Sequence, residues 1–269
     1  MKLLWLTLAF VPLLRAADSG PQLGLQSWTC RNLSFEQTLD FAVAHGIKYV
    51  ELTPKHLDPA TPRDELLKKK AQIEQRGLVA YSSGVNQTSM DEAVDRQLFE
   101  FAKIMGMKFL VVEPKNAGEW DILEKLVKEY DIKLAIHNHG RDTAFGDPAR
   151  VQAVLAKRDP RIGVCLDIGW VTAAGFDAAT VFRAYGNRVY DLHFKDKHIE
   201  EVDGKRVPVD TEIGQGTANY RELFAALAQA HWSGVMAIET DGPIFATNPA
   251  QFVDHAKAFF TSQVAASRK

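Results

Sequence analysis

Eight short apolar runs, spaced roughly 25–30 residues apart, constrain what this chain can fold into more than any other feature. They are Leu23–Trp28, Tyr49–Leu52, Val79–Ser83, Phe109–Glu113, Lys133–His137, Ile162–Asp167, Val189–Phe194 and Val235–Thr240. They are rich in Val, Ile and Leu and show little alternation of polar and apolar positions. Such runs read as strands covered on both faces, the condition of a parallel sheet. The amphipathic segments between them carry helix-end chemistry. Ser34 with Gln37, Ser89 with Glu92 and Asn219 with Glu222 have capping-box spacing. Asp147–Pro148 and Thr61–Pro62 set a cap residue ahead of a proline, and Gly46, Gly77, Gly106 and Gly186 stand where helices should stop. Repeated strand–helix units predict an α/β fold, a single-domain (β/α)8 TIM barrel over residues 18–269. No glycine-rich phosphate loop follows the first run, which counts against an open doubly wound sheet. The polar stretch from His198 to Gly216 has Asp203–Gly204 between two Val-bearing arms and reads as a hairpin over the barrel mouth.

Ahead of the first run, residues 1–17 combine Lys2, the apolar stretch Leu3–Leu14 and the small residues Ala16 and Ala17. This is the pattern of a signal peptide, and the stretch is too short to span a bilayer comfortably. The expectation is an exported protein, periplasmic or secreted, with no membrane attachment after cleavage. The 32 basic and 34 acidic side chains leave a net charge of −2, so no basic excess points to a nucleic-acid partner. Two cysteines are too few for a disulfide-built fold. Cys30 and Cys165 are expected in strands one and six, which are not neighbours in the barrel, and so as buried thiols.

In a barrel of this kind the chemistry lies where the strands end. The fifth run ends in His137-Asn138-His139, the sixth in Asp167, the seventh in His193-Phe194-Lys195-Asp196 and the eighth in Glu239-Thr240-Asp241, while the second and fourth end in Glu51 and Glu113. A strand-end Asp often only caps the next helix, and a lone His is more often a bonded core group than a ligand. Four such groups on consecutive strands suit one divalent ion: His137, Asp167, His193 and Glu239 offer two imidazoles and two carboxylates, which fit Mn, Zn, Fe or Co. Glu239, Glu113 and His139 are the candidate proton-transfer groups. Lys195 can hold a developing oxyanion or a substrate hydroxyl, or can simply pair with Asp196. Trp28 and Trp170 offer flat faces to a sugar ring, and Glu51 and Asn138 complete the expected substrate contacts.

The segments Ile136-His137-Asn138-His139-Gly140, Leu166-Asp167-Ile168-Gly169-Trp170, Asp191-Leu192-His193-Phe194-Lys195-Asp196 and Ala237-Ile238-Glu239-Thr240-Asp241 resemble the sugar phosphate isomerase/epimerase family with its xylose isomerase-like TIM barrel. The resemblance runs over residues 21–262. It implies a divalent metal, often manganese, with Asp167, His193 and Glu239 on ligand positions and His137 where many members carry Glu. It also implies a small carbohydrate substrate, and a homo-oligomer as one form of assembly, since members often pair through barrel helices. Epimerases of the family use the strand-five and strand-eight glutamates as a proton-transfer pair. His137 in place of one of them weakens that mechanism, and Glu113 or His139 would have to supply the second group. Three functions follow. The first is a metal-dependent carbohydrate isomerase or epimerase working by proton abstraction next to a carbonyl. The second is a lyase or hydratase that eliminates a β-substituent from a keto-sugar or 3-keto-glycoside on the same site. The third is a non-catalytic sugar-binding barrel.

Overall fold

The computed structural model describes residues 20–268; the expected signal segment lies outside them. The eight apolar runs form the strands β1 (Gln22–Gln26), β2 (Tyr49–Leu52), β3 (Val79–Asn86), β4 (Phe109–Val112), β5 (Lys133–His137), β6 (Ile162–Asp167), β7 (Val189–Phe194) and, after the hairpin β8 (Asp196–Val202) and β9 (Lys205–Thr211), β10 (Val235–Ile238). All eight pair in parallel and close into a barrel in which β1 bonds to both β10 and β2. The helices are α1 (Phe35–Ala44), α2 (Arg63–Gln75), α3 (Glu92–Met105), α4 (Glu119–Tyr130), α5 (Pro148–Leu155), α6 (Ile168–Ala173), α7 (Ala178–Tyr185), α8 (Tyr220–Gln229), α9 (Pro243–Thr247) and α10 (Pro249–Ser267).

The missing alternation in the runs has a direct structural cause, visible in β4. Leu110 and Val112 pack outward into the layer shared with the helices, while Phe109 and Val111 point inward to meet Tyr81, Ala135 and Cys165. Both faces of the strand are therefore apolar. The inner cluster forms the floor beneath the barrel mouth.

Helix ends follow the sequence in most places. Ser34 and Gln37 make a reciprocal capping box, Asp147 caps α5 with Pro148 in its first turn, and Asn219 accepts from the Glu222 N–H. Two expected caps differ. Asp91, rather than Ser89, accepts from the Ala93 N–H at the start of α3, and Pro62 occupies the cap position of α2 without a side-chain bond. Strand ends also shift. β1 gives way at Ser27 to a 3-10 turn over Ser27–Cys30, so Cys30 lies beyond the strand; both cysteines are free and buried. The expected hairpin is present, starting two residues earlier, at Asp196, with its tip at Asp203–Gly204.

Register sets the height of the strand ends. His137 stands opposite Cys165, Asp167 opposite His193, and His193 opposite Ala237. Cys165 and Ala237 lie two residues before Asp167 and Glu239, so by the period of two all four candidate ligands face inward around the mouth. Among the described residues no helix is long and apolar enough to cross a membrane.

Candidate metal centre and active site

Four ligand atoms, one each from His137, Asp167, His193 and Glu239, converge within 4.8 Å of one another, and all four residues are buried. His193 Nδ1 is 3.1 Å from His137 Nε2, 2.7 Å from Glu239 Oε2 and 3.7 Å from Asp167 Oδ2, while His137 Nε2 is 3.5 Å from the same Asp167 oxygen. Donors that share one ion at metal–ligand distances of about 2.0–2.2 Å stand about 3 Å apart, so this spacing fits a small divalent cation. Two further observations support the fit. Asp167 Oδ2 and Glu239 Oε2 are buried and turned to the centre, where the Lys195 ammonium lies 3.1 and 3.0 Å from them; a position that already draws one cation is one a divalent ion could share. Burial pulls the His137 imidazole below its ordinary pKa, toward the neutral form that ligates, whereas His193, despite its burial, is raised well above its ordinary value by the anionic groups around it and would have to give up a proton to the ion.

Each ligand is held from behind. Asp167 serves two roles at once: Oδ1 accepts from the Trp170 N–H at 2.8 Å and caps α6, while Oδ2 turns to the centre. Asn138 bridges to Asp167, accepting from its N–H at 2.9 Å and donating to its carbonyl at 3.1 Å. Asn138, expected as a substrate contact, is in this structure a strand-to-strand brace. His193 turns Nε2 away from the centre to Glu51 Oε1 at 2.9 Å. Glu51 is wholly buried and also accepts from Gln26 at 3.0 Å and from Ser82. Glu51, expected as a substrate contact, lies behind His193 and beneath the four candidate ligands. Burial works against the Glu51 charge, yet the neighbouring His193 outweighs it and holds the carboxyl at about 2. Burial and the Glu51 charge push the adjacent Asp191 far above the usual carboxylate range, so this buried pair carries one proton and one negative charge. Gly84 makes room for the arrangement: a Cβ there would sit 3.1 Å from Glu51 Oε1 and 2.4 Å from the Val111 side chain.

Lys195 does not pair with Asp196. Its Nζ lies 3.1 Å from Asp167 Oδ2 and 3.0 Å from Glu239 Oε2, and it donates to Asp241 Oδ2 at 3.0 Å. Burial penalises its charge, but the three carboxylates outweigh that and raise it well above an ordinary lysine, so it stays an ammonium at the edge of the ligand set. Asp196 instead accepts from the backbone N–H groups of Lys197, Gly214, Gly216 and Ala218, pinning the return of the hairpin. A second buried lysine, Lys197, pairs with Asp210 and with Asp241 at 3.1 Å. Neither Lys197 nor Asp210 stood out in the sequence.

His139 and Glu113 form a separate pair. His139 Nδ1 is 2.6 Å from Glu113 Oε2, leaving Nε2 for another partner. Burial works to lower the imidazole, and the Glu113 bond and charge outweigh it, so the net shift is upward.

Two cavities flank this pair. One, of about 560 Å³, is walled by Trp28, Glu239 and Asp241 among others; the second, of about 810 Å³, is walled by Glu113, Trp170 and one side of the hairpin. His139 lines both.

Residues 39–262 match the family model described as xylose isomerase-like TIM barrel. An inosose dehydratase of Clostridium perfringens is 25% identical, the alignment covering 94% of this chain and 95% of that protein. An inosose dehydratase of Lacticaseibacillus casei is 21% identical over the same shares. Among solved structures, an uncharacterised protein from Parabacteroides distasonis is 26% identical with a TM-score of 0.69, over 90% of this chain and 98% of that one.

Proposed function

Since the chain belongs to the xylose isomerase-like TIM barrel family, we propose that it is a metal-dependent lyase that removes a β-substituent from a cyclic polyhydroxy ketone, a keto-cyclitol or keto-sugar. The observation that carries this reading is the placement of one carboxylate and one imidazole acid at the same cavity. Glu239 and His139 both wall the first cavity, and Glu113 holds His139 so that Nε2 is available. Elimination needs one base and one acid, and the alignment with two inosose dehydratases over nearly the whole chain agrees with it.

His137, Asp167, His193 and Glu239 would hold the ion; this donor set suits Mn, Zn, Fe or Co, and the family resemblance puts manganese first. When bound, it supplies Lewis acidity at the substrate carbonyl and so acidifies the neighbouring C–H bond. Glu239 takes that proton. The C–H electron pair becomes the new C=C bond as the β C–O bond breaks, and the departing oxygen takes a proton from His139 Nε2. Before the ion binds, Lys195 keeps its positive charge beside Glu239 and Asp167 and so holds both carboxylates ionised. Trp28 offers the reacting ring an apolar wall.

A second reading, epimerisation or isomerisation, rests on Glu113 as the second carboxylate. One assay separates the two. Incubation of an inosose or a 3-keto-glucoside with the manganese-loaded protein should produce the absorbance of an α,β-unsaturated ketone, and His139→Gln should reduce the rate by about 10²–10⁴-fold. Inversion of a carbinol centre without an unsaturated product would establish the epimerase and refute the lyase. We also propose that the chain is exported. Mass spectrometry of protein recovered from its native host should then find a mature N-terminus near residue 18, whereas retention of Met1 and Lys2 would refute cleavage.

A further inference from the structure

The second cavity has no task in the removal of a hydroxyl group as water. At about 810 Å³ it is larger than the cavity that Glu239 lines, and it falls within the range of a complete small-molecule site. Its walls are unlike a water channel: Pro114, Trp170, Ala174, Ile199 and Pro208 give it a largely apolar surface. Ile199 and Pro208 are direct partners in the hairpin ladder, and Arg206 lies two residues before Pro208, so all three share one face of the hairpin. The same face carries Lys197 opposite Asp210 at its base. Asp210 accepts from Lys197, from the Thr240 hydroxyl at 2.8 Å and from the Asp241 and Gly242 N–H groups. The roof is thereby fastened to the end of the last strand. Trp170 is fixed as well, with Lys197 Nζ 3.9 Å above its ring. Arg206, whose guanidinium has no partner among the described residues, lines the same space and can cover a ring face.

His139 belongs to both cavities, so an oxygen that it protonates stands at their junction. We propose that the second cavity is a leaving-group subsite for a planar, apolar alcohol, which makes the substrate a 3-keto-glycoside with an aromatic aglycone. This rests on the lyase reading above. The ketone ring sits in the first cavity. The C2–H bond breaks and its pair forms the C1=C2 bond, the C1–O bond breaks with its pair on oxygen, and that oxygen takes the proton from His139. The products are a 1,2-unsaturated 3-keto sugar and the free phenol, with no net oxidation.

The test measures binding apart from turnover. Phenyl and methyl β-glucosides lack the ketone and do not react. Titration calorimetry on the intact manganese-loaded protein should find the phenyl compound bound about tenfold or more tightly. Ala144 is an exposed residue of the second cavity, and Ala144→Trp should bring the ratio of the two affinities to about one. Equal affinities in the unmodified protein, or a preference that survives Ala144→Trp, would overturn the subsite. Release of 4-nitrophenol from its 3-keto-glucoside is followed in parallel. No release with the phenyl preference intact refutes the reaction and leaves the subsite standing; turnover of an inosose without phenyl preference does the reverse.

Discussion

Replacing Glu51 by Gln separates positioning from ligation. Glu51 touches neither cavity, and its carboxylate accepts from His193, Gln26 and Ser82 in a wholly buried setting. Truncation to Ala would leave three donors without an acceptor, at about 1–3 kcal/mol each. That total is comparable with the whole stability of a domain, about 5–15 kcal/mol, so Ala is the wrong probe. Gln keeps the shape and one acceptor oxygen for the His193 N–H, and it removes the negative charge behind the ring. Loss of such a supporting partner lowers metal affinity by about 10–100-fold, or about 1.4–2.7 kcal/mol. Competition between the protein and a chelator for manganese measures this directly, with circular dichroism to check that the barrel persists. Unchanged affinity in a folded Glu51→Gln protein would refute the claim that Glu51 acts through His193.

Two further outcomes test other parts of the account. Asp95 on α3 is buried, with Oδ1 bonded to the Ser89 N–H at 3.0 Å and Oδ2 unpaired; burial, with Glu119 and Asp91 nearby, pushes it from 3.8 up to about 6. The native state therefore holds its proton more tightly than the unfolded chain, and stability falls as pH rises from about 4 to 6. Asp95→Asn should raise Tm at pH 8 and lose that advantage near pH 4; an advantage equal at both pH values would contradict the assignment. Asp210→Ala breaks a buried ion pair and strips three further donors at the hairpin base. It should cost about 3 kcal/mol or more in thermal unfolding and speed amide exchange in β8 and β9, while an unaltered exchange pattern would show that the roof is held by other contacts.

The barrel was legible because both-face burial leaves a mark that no half-buried sheet makes, and the strand centres follow from it. Strand ends were less legible. The sequence pattern carried β1 to Trp28, but Gln26 accepts from the Trp28 N–H and turns the chain early, a local bond that apolar content does not register. The placement of Glu51 has a similar cause. Counting along the second run puts a carboxylate at the strand end, but the register with β3 shifts between Val50 and Glu51, and the side chain falls one layer below the mouth. Lys195 was read against its neighbour Asp196 because its real partners, Asp167, Glu239 and Asp241, are 28 to 46 residues away and meet it only when the barrel closes. Asp191 did leave a signal, as an acid two places inside a short run that also holds His193, and such a residue demands a buried partner.

Anomalous diffraction from crystals grown with manganese tests the central claim most directly. One peak is expected, bounded by His137 Nε2, Asp167 Oδ2, His193 Nδ1 and Glu239 Oε2, with Lys195 displaced from at least one carboxylate. Full manganese in solution with no peak at that point, and Lys195 still lodged between Asp167 and Glu239, would contradict it.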